Sequence, residues 1–300
     1  MKVFVIIVTY NALHRGWIDH CMASLAASTV PVAPVIIDNG STDGTRDYVP
    51  VHFPDAVWLP QDKNLGFGQA NNKGIRYALE QDADYVLLLN QDATIAPDSV
   101  AHMTEACAGN RLVSPLQLNG DGTRLDFIFK EKLLLTRSSL FDDIFAGQPI
   151  QEAYVGGDYS AACWMLPTRI IREIGGFNPI FFHYGEDDNY LHRLQYHGFE
   201  VALAAKARMF HDREMHGNQA AFNKNAYRRE MLCEACDINI SLLKFIWKSC
   251  LRLYHSYVFD LPAHRYRPGT FLWQVLWLCG HVSSIHRSRR QDKSRGMNWL

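Results

Sequence analysis

Short apolar runs separated by helix-like segments constrain the fold of this chain more than any other feature. Residues 3–8 ("VFVIIV") are an unbroken apolar run, followed by a helical pattern over 13–27. A run at 35–38 precedes a helical pattern at 42–49, and one at 57–59 precedes Phe67–Glu80; Tyr85–Leu89 closes the series. Strands without polar alternation are covered on both faces. Strand–helix alternation implies βαβ units and a mostly parallel, Rossmann-like central sheet, so the expected class is α/β. Such sheets bind ligands at the carboxyl ends of their strands. Here those ends read "TYN" (9–11), "DNGSTD" (38–43) and "NQD" (90–92): all polar, none basic.

From about residue 97 to 212 the pattern becomes mixed. A helix is expected near 97–107 and a strand at 111–115. Strands near 161–166 and 201–204 flank a helix over 186–197. Residues 119–150 have weak periodicity and read as a variable loop or hairpin. This half adds strands to the same sheet and gives it a second binding surface. From 223 onward the chain reads as helical throughout, rich in aromatic and basic residues.

Composition removes several classes. With 48% hydrophobic residues a core is assured, and a net charge of −1 gives no pull toward nucleic acid. The seven cysteines are scattered, apart from Cys233 and Cys236, which fits a reducing, cytoplasmic setting better than a disulfide framework. The first apolar run is too short for a signal-peptide core or a membrane span, so export is not expected. No Gly-X-Ser-X-Gly, Walker loop or His-Glu-X-X-His occurs.

Each polar motif has an ordinary reading beside a functional one. "DNGSTDGT" (38–45) suits a helix-capping turn, or else places Asp38 where it accepts hydrogen bonds from a base or ribose. "NLGFGQANNKG" (64–74) has Asn71 where a dinucleotide fingerprint needs its third glycine, so its glycines read as sites of close backbone approach. "GEDDNYLHRLQYHGF" (185–199) opens a helix with three acids. They complement the helix dipole, or one of them is a general base. Glu186 and Asp187 point in different directions from one turn, so one can be structural while the other faces substrate. His211 and His216 follow a strand, where a histidine is more often structural than a ligand. Cys233 and Cys236, one helical turn apart, read as packing residues.

In order along residues 3–215, "VIIVTYN", "IIDNGSTDGT", "NLGFGQANNKGI", "LLLNQDATI", "GGF", "FFHYGEDDNYLHRLQYHGF" and His211 together resemble glycosyltransferase family 2, with the GT-A fold. The general look is that of rhamnosyltransferase-like bacterial members that build cell-surface polysaccharides. The resemblance implies inverting transfer of a sugar from a nucleotide diphosphate sugar (dTDP-rhamnose or a UDP-sugar) to a saccharide or lipid-linked saccharide hydroxyl. It assigns Thr9, Tyr10, Asn11, Asp38, Asn39, Ser41, Asp43, Asn64, Gly66, Asn72 and Asn90 to the donor nucleotide site. Asp187, with Glu186 beside it, is the implied base. Asn72 also suits bracing of the helix. Asp92 and His211 are the implied ligands of Mg²⁺ or Mn²⁺, with phosphate contact the other role open to His211, and Asn90 replaces the first acid of the family's Asp-X-Asp motif. Trp164 and Tyr184, with Phe181 and Phe182, are read as cover on the acceptor side, although each also suits core packing. A catalytically silent sugar-nucleotide or glycan-binding protein on the same fold is the alternative function.

The expected domains are a glycosyltransferase unit over 1–220, with a nucleotide-sugar half (1–95) and an acceptor half (96–220), and a C-terminal helical region over 221–300. Two arrangements suit that tail. It packs as helices on the domain or on a second subunit, giving a homodimer, or it lies on the inner face of the cell membrane as a peripheral anchor.

Overall fold

The computed structural model describes residues 1–136, 138–213, 224–255 and 276–300. A twisted sheet of nine strands forms its centre among these residues. β1 (Val3–Thr9), β2 (Ala33–Asp38), β3 (Val57–Trp58) and β4 (Tyr85–Leu89) are mutually parallel in the order β3-β2-β1-β4. Side-chain alternation divides β1 between two cores. Val5 and Ile7 pack toward α1 (Trp17–Ala26) and α4 (Ser99–Cys107), whereas Ile6 packs toward α3 (Phe67–Glu80). This two-sided burial is why the run needs no polar alternation. α2 (Thr45–His52) completes the first half.

The sheet continues through β8 (Cys163–Pro167), antiparallel to β4, then β6 (Arg111–Asn119), β9 (Glu200–His211) and β5 (Ala93–Ile95), with β7 (Tyr154–Val155) also on β9. Two of these strands run past their expected ends. β6 continues through Pro115, because the ladder shifts there: Pro115 faces Ala204 and Leu116 faces Arg208. Proline is tolerated at such an irregularity. β9 extends to His211 because residues 206–211 alternate between exposed and buried in strand fashion.

The loop or hairpin expected over 119–150 is corrected to two helices after a short turn. They are α5 (Phe127–Leu135), capped by Asp126 accepting from Phe129 N at 3.0 Å, and α6 (Leu140–Ala146). Leu134, Leu135 and Phe145 lie exposed, which erases the amphipathic pattern a sequence reading needs. α7 (Thr168–Ile174) and α8 (Glu186–Tyr196) follow.

The tail contains α9 (Lys224–Cys236), α10 (Leu242–His255) and α11 (Val282–Asp292). The expected helix over 256–275 lies outside the described residues. α11 and the residues after it clasp the preceding fold. Asp292 is fully buried against Arg193 (3.7 Å), Asn178 and Asn189. Asn298 O accepts from Gly176 N at 2.8 Å, and a Cβ on Gly175 would fall 2.0 Å from that same oxygen. Cys233 and Cys236 pack in a small core with Phe181, Phe245 and Ile285, as packing residues should.

Candidate active site

Parallel pairing brings the polar strand ends to one edge. Thr9 faces Asp38 across β1 and β2, and both are buried. Thr9 Oγ1 sits 3.4 Å from Ile37 O and 3.5 Å from Asp38 Oδ1, and Ser41 N lies 3.4 Å from either Asp38 oxygen. These are long contacts for a carboxylate.

Several expected donor-site residues bond one another. Asn11, held at φ 53°, donates its N–H to Ser41 Oγ (2.9 Å), and its Oδ1 accepts from Thr42 N (2.8 Å). Asp43 accepts from Thr45 Oγ1 (2.6 Å), Thr45 N (3.0 Å) and Leu13 N (3.2 Å). Partial burial works against the Asp43 charge, but these donors outweigh it and hold the carboxyl below the usual Asp value. Asn39 donates to Asn64 Oδ1 (3.1 Å) and accepts from Leu65 N (2.8 Å). Asn64 Oδ1 also accepts from Gly66 N (2.8 Å). Asn72 turns away from this edge: it donates to Phe177 O (2.8 Å) and Trp299 O (3.1 Å), bracing the C-terminal clasp. Tyr10 is exposed, and its backbone is gripped by Gln91, which accepts from Tyr10 N (2.8 Å) and donates to Tyr10 O (3.0 Å). Gln91 carries no signal in the sequence beyond its place between Asn90 and Asp92.

Antiparallel pairing of β5 with β9 sets Ala93 opposite His211, so Asp92 and the histidine become neighbours. Asp92 Oδ1 lies 3.3 Å from His211 Nε2, and Asn90 Nδ2 lies 3.5 Å from the same nitrogen. On the other side of the ring, Asp126 Oδ2 is 3.9 Å from Nδ1. The group offers an oxygen and a nitrogen ligand at one point, and Arg213, paired with Asp126 at 3.4 Å, lies 3.4 Å from the far ring nitrogen. That donor set fits Mg²⁺ or Mn²⁺ sharing further sites with phosphate and water. A cleft of about 1470 Å³ opens beside it, lined by Arg15, Trp17, Phe127, Lys130 and Arg213 as well as Asp92 and His211. Among the described residues, the one cluster of three further metal-type ligands is His102, Glu105 and Glu152 on α4 and its neighbour loop, where Lys206 already pairs with Glu152. His216 lies outside the described residues.

Glu186 and Asp187 of α8 sit in different surroundings. Glu186 is buried near Gly68, and its Oε2 lacks a hydrogen-bond partner. Burial, reinforced by the Asp187 charge, pushes its carboxyl up to about 7. Asp187 is half-buried; burial and the Asp188 charge raise its carboxyl, while Lys132 pulls it back. Lys132 Nζ, from the helix missed in sequence, reaches Asp158 at 2.8 Å and Asp188 at 3.2 Å. Gly66 packs its loop against the segment before α8: at φ 81° its Cβ position lies 1.9 Å from Phe182 O, so only glycine fits.

Tyr184 and Phe182 are exposed beside α8, and Arg229 lies 4.7 Å over the Tyr184 ring. Trp164 corrects the expectation. It is fully buried on β8, stacked on Phe177 and tilted against Tyr190, and is core rather than acceptor cover. Phe181 is likewise buried.

Residues 4–175 match the profile of glycosyl transferase family 2. The chain belongs to that family. This glycosyltransferase is 27% identical over 255 residues to N-acetylglucosaminyl-diphospho-decaprenol L-rhamnosyltransferase of Mycobacterium tuberculosis, covering 74% of this chain and 82% of the relative. Its fold is similar to that of S. aureus TarS 1–349 in complex with UDP-GlcNAc (TM-score 0.54, 18% identity, 83% of this chain and 70% of that one). It is also similar to GalNAc-T7 with UDP, GalNAc and Mn²⁺ (TM-score 0.53, 15% identity, 81% and 52%). The glycosyltransferase fold is GT-A, an α/β architecture, as the motif order implies.

Proposed function

We propose that this glycosyltransferase moves a sugar, with inversion, from dTDP-rhamnose or a UDP-sugar to a saccharide hydroxyl on a lipid-linked acceptor, for cell-surface polysaccharide. The meeting of Asp92, His211 and Asn90 at the end of β4 carries this reading. The rhamnosyltransferase relative supports the sugar and the acceptor class. Asp92 and His211 would hold Mg²⁺ or Mn²⁺ together with the donor diphosphate, and the ion supplies Lewis-acid neutralisation of the leaving group. With Asn90 bringing no charge, ion and nucleotide bind together more strongly than either alone.

The chain's own residues do the rest. The Asn39–Asn64 and Asn11–Ser41 bonds hold the loops around the nucleotide. Asp187 takes the proton from the acceptor hydroxyl, a step worth roughly 10²–10⁴-fold. Phe182 and Tyr184 shield the acceptor face, since transfer requires that water be kept out.

No described helix is long and apolar enough to cross a membrane. α10 instead exposes Leu243, Ile246, Trp247 and Leu251 beside Lys244 and Lys248, which supports a contact with an anionic membrane surface. The experiment is a thermal-shift screen of UDP-, dTDP- and GDP-sugars with each ion, followed by transfer assays. A UDP- or dTDP-sugar should raise Tm in the presence of metal. Asp187→Asn should keep that shift and lose transfer. Full transfer by Asp187→Asn would overturn the base assignment, and a donor shift without transfer in the unaltered chain would favour the silent sugar-nucleotide-binding alternative.

A further inference from the structure

Three carboxylates, those of Asp158, Asp187 and Asp188, gather at the start of α8, and among the described residues Lys132 is the cation that answers them. Lys132 projects from α5, about three-quarters buried, with its Nζ 2.8 Å from Asp158 and 3.2 Å from Asp188. On its cleft side the same helix presents Phe127, Ile128 and Lys130 beside the Asp92–His211 group. α5 therefore touches α8 through Lys132 and also walls the cleft beside Asp92 and His211.

We propose that Lys132 is a positioning residue for the transfer reaction: it ties the first turn of α8, through Asp188, to the loop at Asp158, and its ammonium charge offsets the carboxylates crowded around Asp187. The inference rests on the reading of Asp187 as base.

Among the described residues, the groups facing Asp187 are Glu186 and Asp188 on α8, Asp158 in the loop before β8, Lys132 on α5 and Cys233 on α9. Burial and Asp188 raise the Asp187 carboxyl, Lys132 lowers it, and Asp158 raises it by a smaller amount. The Cys233 thiol is pushed far up by burial and by these acids, so it brings no charge. Removing Lys132 and removing Asp158 should thus move the base in opposite directions. A lysine that merely held the loop would not do this.

The test measures kcat/KM against pH for the full chain, whose acid limb reports the base in the free enzyme. Lys132→Met should move that limb up by about one pH unit or more, as expected for loss of a neighbouring opposite charge. Asp158→Asn should move it down, and Lys132→Arg should restore the wild-type position. The nucleotide-induced rise in Tm should be unchanged in all three. Acid limbs of Lys132→Met and Asp158→Asn that coincide with wild type overturn the proposal. If Lys132→Met fails to fold, Asp158→Asn decides alone, since that carboxylate is 58% exposed. Asp187→Asn separates the two readings. Full transfer in that variant removes the base assignment itself. Its inactivity together with unmoved limbs removes only the role of Lys132.

Discussion

Asp92 Oδ1 stands 3.3 Å from Nε2 of His211, and the contact exists because β5 and β9 pair with Ala93 opposite His211. Neither residue belongs to a local motif with the other. The backbone ladder holds them together, so the pair is preorganised without a ligand. On the other side of the ring, Arg213 Nη2 lies 3.4 Å from Nδ1 and is itself placed by Asp126, 3.4 Å from its Nε.

Ion and nucleotide should therefore act together. Asp92→Ala and His211→Ala should each weaken Mn²⁺-dependent binding of the nucleoside diphosphate by roughly tenfold or more. EDTA should produce a similar loss in the unaltered chain. Calorimetric titration with and without metal checks this, and identical affinities in the two conditions would remove the metal from the proposal.

Gly66→Ala should destabilise the chain by about 1–3 kcal/mol, because the added methyl meets Phe182 O at a left-handed backbone position. The strain falls between the loop at 64–66 and the segment leading to Asp187, so transfer should fall as well. Urea unfolding measures the first effect. A midpoint equal to wild type would mean that the loop moves aside freely.

Glu186 predicts a pH dependence of stability. Its folded carboxyl is raised from 4.5 to about 7, so between those values the folded state keeps a proton that the unfolded chain has released. Stability should then fall as pH rises through that window and level off above it, by a total of about 3 kcal/mol. Glu186→Gln carries no titrating group. It should match wild type near pH 4 and exceed it in Tm at about pH 8. Parallel Tm–pH curves for the two proteins would contradict the assignment.

Asp292→Ala should cost about 3–5 kcal/mol, since it leaves the buried Arg193 guanidinium without its counter-charge. It also removes the acceptor for Asn178, Asn189 and Trp299. A chain ending at residue 220, the expected domain boundary, should for the same reason fail to fold stably. A change under about 1 kcal/mol on denaturant unfolding would show that the clasp is dispensable.

Legibility followed the range of the forces involved. α3 and β4 were readable to the residue, because a helix buried on one face and a strand covered on both leave period-specific apolar patterns. α5 was not, because Leu134 and Leu135 lie exposed and blur its stripe. Lys132 was lost with it. Trp164 illustrates a different limit: an aromatic on a strand suits a core or a sugar platform equally, and only its stacking on Phe177 decides. Among the loop residues, sequence named Asn39, Asn64 and Asn72 together, but the third faces Phe177 and the C-terminal clasp.

By itself the sequence determined the parallel half of the sheet, the edge where its polar loops collect and the family to which the chain belongs. Those follow from local apolar runs and from the order of short motifs. Tertiary structure alone decided which polar side chains brace one another, which converge, and how the end of the chain closes over α8. These outcomes depend on strand register and on buried charges such as Arg193 and Asp292. Their partners are distant along the chain, and no local pattern in the sequence records who meets whom.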